Sequence, residues 1–265
     1  MEGKKENKNR TFLFVLIQNL INMFDVRKVN AYYFTIVALI ITAVSGLLIL
    51  GATSSFVLQL ILIPSVTGVV DFTLKKMRYG KLKFPSDAVI TGLIIAMVLS
   101  PSPVYMQIIV ALVAILQKYI IKIDNRKLFN PAAFGLLFAW IVFGSPPAWW
   151  AFVTPAVFLF LFSDYLIGRL PLALTFYLGY VVLASVSGYL TTGTLSLNII
   201  SYPLLFFAAV MVVEPKTSAI TMKGMLTEGI LLALLVVAVQ QFIPIDAFIP
   251  ILLLMNLLVH FRILK

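Results

Sequence analysis

The sequence predicts an all-α integral-membrane protein of about ten transmembrane or half-membrane helices, with both termini in the cytoplasm. Three observations predict it. Of the 265 residues, 62% are hydrophobic and 11% charged, whereas a soluble domain is about half apolar and a quarter charged. Apolar stretches separated by short polar loops recur along the whole chain. With the N-terminus inside, all twenty Lys and Arg residues fall on the cytoplasmic side, and Asp246 is the only charge in the outward loops, as the positive-inside rule expects.

In chain order, residues 1–31 read as a basic cytoplasmic tail followed by an interfacial helix. Phe12 to Phe24 is too short to span and is interrupted by Gln18, Asn19 and Asn22, so it lies on the surface with Arg27 and Lys28 at the headgroups. Residues 32–265 form one transmembrane domain. Its expected segments are 32–52, 54–74, 86–100, 104–121, 130–144, 149–167, 170–191, 197–213, 222–243 and 246–263. Trp149 and Trp150 mark an outer boundary, where belt aromatics sit. No cleavable leader with a small-residue cleavage site follows the tail.

Segments 3, 5 and 8 are short and bracketed by proline. In Ser86–Pro103 (SDAVITGLIIAMVLSPSP) the apolar run from Ala88 to Leu99 covers only about 18 Å as helix. The hydrocarbon core is roughly 30 Å thick. Ser86 and Asp87 offer a cap at one end, and Pro101 and Pro103 stop the other. Ser201–Ser218 (SYPLLFFAAVMVVEPKTS) is a second stretch of this kind. Asn130-Pro131 opens segment 5 as cap and first-turn proline. Short interrupted segments in both halves, about 32–125 and 130–265, point to an internal repeat and a site at membrane depth.

Composition excludes several chemistries. The chain has no cysteine and a single histidine, His260, so thiol catalysis, cysteine-held clusters and multi-histidine metal sites are ruled out. No metal site is expected. No Walker loop, GxGxxG or nucleophile elbow occurs. The net charge of +10 sits in short loops and argues for membrane lipid, not nucleic acid, as its partner.

The candidate site residues are polar groups at the short segments. Asp87 and Glu214 border them, with a structural reading as interfacial caps weighed equally against function. Thr91-Gly92 offers a hydroxyl and bare backbone; Glu214-Pro215-Lys216-Thr217-Ser218 offers a carboxylate, hydroxyls and freed carbonyls. Asn130-Pro131-Ala132 makes a third group. Broken helix ends bind ions or polar ligands through backbone dipoles; the alternative is small-residue packing and hydroxyl back-bonding. Asp71, Asp164 and Glu228 read as interfacial caps and partners of nearby lysines, and His260 as an interfacial residue.

SDAVITGLIIAMVLSP, KLFNPAAFGLLF and PLLFFAAVMVVEPKTSAITMKG, followed by IPILLLMNLLVHF, resemble the RnfD/NqrB family, the membrane component shared by Rnf and Na⁺-translocating NADH:quinone oxidoreductase complexes, over most of residues 84–260. The resemblance implies a urea-transporter-like fold of two repeats and a role in flavin-dependent membrane electron transport coupled to ion movement. The chain would then be one component of an oxidoreductase complex in the cytoplasmic membrane, with other electron-transport subunits or a flavin reductase as partners. The match touches Asp87, Thr91, Gly92, Asn130, Pro131, Ala132, Glu214, Pro215, Thr217 and Ser218. The covalent flavin motif of the family's large members is missing: Thr191-Thr192-Gly193-Thr194 lacks its pattern. A non-covalent flavin (FMN or riboflavin) is therefore the expected cofactor. The alternative is a urea-transporter-like channel or transporter for a small solute or ion, without redox chemistry.

Overall fold

The computed structural model describes residues 30–51, 53–80, 84–123, 126–193, 201–243 and 245–261. The interfacial helix expected at 12–24 lies outside them. Among the described residues there are ten α-helices: α1 (Ala31–Leu50), α2 (Ser54–Tyr79), α3 (Ser86–Val98), α4 (Val104–Ile120), α5 (Pro131–Phe143), α6 (Leu159–Leu166), α7 (Leu170–Thr192), α8 (Tyr202–Phe206), α9 (Met222–Phe242) and α10 (Phe248–His260). A 3₁₀ turn, Pro155–Phe158, leads into α6, and α8 runs on as a π-helical stretch, Phe207–Val212. A two-stranded antiparallel hairpin, β1 (Lys122–Ile123) and β2 (Arg126–Lys127), joins α4 to α5.

Local chemistry sets these boundaries. Asn130 Oδ1 accepts from the amides of Ala132 (3.0 Å) and Ala133 (3.2 Å), with Pro131 in the first turn of α5. Thr221 caps α9 through Gly224 N at 3.0 Å, and Gly144 and Gly193 take the left-handed conformation after α5 and α7. Two expectations are corrected. The N-cap of α3 is Pro85, with no side-chain cap bond; Asp87 is taken instead by lysines of α2 and α4. Trp150 is an interior residue, not a belt residue. Trp150 is 7% exposed and donates to Ala96 O at 2.9 Å, and Trp149 donates to Asp246 Oδ2 at 2.6 Å. They lie in non-helical chain, so the sixth helical element starts at Pro155, not 149.

Four helices, α1, α2, α7 and α9, are long and apolar enough to cross a membrane. Their outer faces carry exposed Leu48, Ile61, Leu190 and Phe242, an arrangement suited to lipid. The shorter helices fill the interior. Ala88 and every residue from Thr91 to Val98 of α3 are buried. A Cβ on Gly92 would meet Pro64 Cα at 2.5 Å and Thr67 Oγ1 at 2.3 Å, so glycine lets α3 lie directly on the proline-bearing turn of α2. Phe152 and Phe206 stack at 3.8 Å between centroids, with Trp149, Phe207 and Phe248 around them.

Candidate functional site

A cavity of about 130 Å³ opens where α1, α3, α6, the start of α5 and the π stretch come together. That is room for about four waters. Ile90, Ile94, Phe160, Ala209, Val210 and Val213 make apolar walls, and Thr35, Asp87, Thr91, Asn130, Ser163, Asp164 and Glu214 supply polar groups. The short helix α3 brings Asp87 and Thr91 to one wall because they are four residues apart on one face. The end of the π stretch delivers Glu214 and Pro215 opposite.

Six of the ten sequence candidates therefore share one cavity: Asp87, Thr91, Asn130, Ala132, Glu214 and Pro215. The other four do not line it. Gly92 is a helix-packing contact. Pro131 is buried in the first turn of α5. Thr217 and Ser218 face a separate space with Asn256 and His260, and Ser218 Oγ bonds back to Glu214 O at 2.9 Å.

The expectation of freed carbonyls as ion ligands is corrected. At the end of α3, Gln59 Nε2 donates to Ala96 O and Leu99 O, each at 2.9 Å, and Ala148 N donates to Val98 O at 2.7 Å. At the other short element, Asn130 Nδ2 donates to Met211 O at 3.0 Å, and Arg169 reaches Ala219 O. Unpaired backbone groups away from water are costly, and side chains from other segments, with the Ala148 amide, satisfy these. The polar character of the cavity comes from side chains.

Three acidic residues expected as cap partners differ in their surroundings. Asp71 is fully buried and pairs with Lys75 (2.6 Å) and Lys118 (2.5 Å), with Tyr119 donating at 2.7 Å. Glu228 is also fully buried but accepts from Ala219 N at 2.7 Å. Asp164 is 1% exposed, lines the cavity, has no ion pair among the described residues, and leaves its Oδ2 without a hydrogen-bond partner. Beside it, the hydroxyls of Thr35 and Ser163 are 2.7 Å apart.

No protein-family model matches the chain, and no curated protein matches it.

Ser163 and Asn256 escaped the sequence reading, and Asp164 was placed at the interface by it. Asn256 Oδ1 accepts from Asn130 N at 2.9 Å and its Nδ2 donates to Thr217 O at 3.3 Å, so it ties α10 to two of the candidate groups. One or two polar residues inside an apolar run, as in ILLLMNLLV or FLFLFSDYL, were the available signal.

Proposed function

We propose that this chain is an integral-membrane electron-transport component similar to the RnfD/NqrB family, working with a non-covalent flavin. The observation that carries the reading is the convergence of all three resembling motifs on one cavity: SDAVIT through Asp87 and Thr91, FNPAA through Asn130 and Ala132, and VVEPK through Glu214 and Pro215. The residues suit an isoalloxazine ring in kind. Apolar walls from Ile90, Ile94, Phe160 and Val210 would flank it, and the orphaned Asp164 Oδ2 would accept from a ring N–H. When bound, a flavin supplies one- and two-electron transfer; the protein's part is to orient the ring, exclude water and provide hydrogen bonds. Partner proteins or a flavin reductase would supply the electrons.

In this reading the chain crosses the cytoplasmic membrane about ten times, with both ends inside. Basic groups from α2, α4, the hairpin and the turn after the π stretch share one vestibule, which supports a single cytoplasmic face. Helix lengths support a repeat of five elements each, 31–143 and 155–260, whose third and fifth members are short in both halves. The seam then falls after Phe143, not near 125–130.

The test is a spectrum. The protein is purified in detergent, riboflavin or FMN is added, and bound flavin absorbance is recorded; binding is expected, reduced at least tenfold in Thr91→Val. If no flavin copurifies or binds, the redox reading fails. One observation favours the second reading, a urea-transporter-like path for a small solute or ion. The cavity, at about 130 Å³, is below the usual 300–1,000 Å³ of ligand pockets, so a ring would have to extend past Lys216 into the vestibule. Solute flux into liposomes above empty controls, without flavin binding, would establish that alternative.

A further inference from the structure

Beside the first cavity lies a second of about 490 Å³, and the two share Asp87, Pro215 and Lys216 in their walls. Six cationic side chains line it: Lys75 from α2, Lys118 from α4, Lys122, Arg126 and Lys127 from the hairpin, and Lys216 from the turn after the π stretch. Three carboxylates answer them. Asp71 and Asp87 both bridge Lys75 and Lys118, and Glu214 pairs with Lys127. Lys122, Arg126 and Lys216 have no carboxylate partner among the described residues; Lys122 rests over the Tyr119 ring at 5.2 Å. Among the described residues, six basic side chains against three carboxylates leave a surplus of three basic groups around one concave space.

A row of headgroup-facing lysines accounts for basic residues at a membrane boundary, but such side chains reach outward into water. Here Lys118 and Lys127 are 7% and 8% exposed and turn inward. Burial, followed by the nearby Lys216 and Lys118, pulls the Lys127 pKa well below the ordinary ammonium value. The like charges already press on one another, and an anion among them relieves that repulsion.

We propose that this vestibule binds a phosphoryl group, held by Lys118 and Lys127 at its buried wall and by Lys122, Arg126 and Lys216 at its rim. A carboxylate brings one charge. A phosphoryl group brings about −1.5 to −2 and three strong acceptor oxygens, which better matches the excess and the number of donors converging on it. The phosphoryl group, a terminal phosphomonoester, belongs either to a free phosphorylated solute or to a phosphatidic-acid headgroup entering from the side. The assignment does not depend on the flavin reading.

The test uses the full chain in uncharged detergent, titrated with inorganic pyrophosphate while its melting temperature is followed. A saturable rise that weakens with added salt is expected. Lys216→Gln, which breaks no ion pair among the described residues, should raise the apparent Kd about tenfold. Lys223→Gln, exposed on α9 and outside the cavity, should leave it unchanged. A second arm uses nanodiscs of phosphatidylcholine with or without phosphatidic acid, whose headgroup is a phosphomonoester. Stabilisation by phosphatidic acid that is lost in Lys216→Gln, together with loss of pyrophosphate binding, identifies the lipid headgroup as the source. Pyrophosphate binding unaffected by phosphatidic acid identifies the free solute. No stabilisation by either probe, or equal weakening in both variants, overturns the site.

Discussion

Asp71, Asp87 and Asp164 are the same residue type near the same pair of cavities, and their partners make them different. Asp71 and Asp87 share two lysines in a closed network, and removing one member of a buried network strands the rest. Asp71→Asn should therefore lower stability by about 3 kcal/mol, read as a fall in melting temperature in detergent. Asp164 has no such cation to strand. Burying an unpaired polar group is expensive, and in the proposed reading this carboxyl is the group that meets the ligand. Asp164→Asn should leave expression and melting temperature near wild type while weakening flavin binding, or solute flux, at least tenfold. A large loss of stability in D164N would instead make Asp164 a structural residue.

At the level of single helices, α3 depends on what it touches. It is too short to cross a bilayer, and its exposed carbonyls are met by Gln59, Trp150 and the chain at Ala148. Its close approach to α2 rests on Gly92. Gly92→Ala would place a methyl within 2.5 Å of Pro64 Cα, and backbone cannot yield as a flexible side chain can. The expected cost is about 1–3 kcal/mol, visible as lower thermal stability. The start of α5 gives a finer test. Asn130 both caps the helix through Oδ1 and donates from Nδ2 to Met211 O. Asn130→Ser retains a cap acceptor and loses the Nδ2 donor without adding a charge, whereas Asn130→Ala loses both. N130A should be less stable than N130S by about 1 kcal/mol, the usual worth of a cap, and both should impair function.

On the scale of the whole molecule, basic groups from separate segments gather in one place. The lysines of α2, α4 and the hairpin converge on one vestibule, while Asp246 meets Trp149 in the loop before α10. A chain without cysteine allows this to be tested against no background. In sealed right-side-out vesicles, a cysteine introduced at Ser145 should react with a membrane-impermeant maleimide, and one at Lys76 should react only after permeabilisation. Equal labelling of both would reject the ten-crossing arrangement.

The sequence by itself determined the class of the protein and nearly all helix positions, because hydropathy, prolines and caps such as Asn130 act over a few residues. It also drew attention to Asp87, Thr91, Asn130 and Glu214, since polar groups beside short apolar runs stand out locally. Only the tertiary structure decided their partners. Gln59 reaches α3 from another helix, Asn256 reaches Asn130 across 126 positions, and Arg169 reaches Ala219 across 50; hydropathy carries no trace of such pairings. The same long-range geometry turned Gly92 from a ligand candidate into a packing contact. It also turned Asp164 from an interfacial cap into the unpaired carboxyl of the cavity. Which backbone groups are already satisfied, and which side chains are left over, is settled by what folds against them.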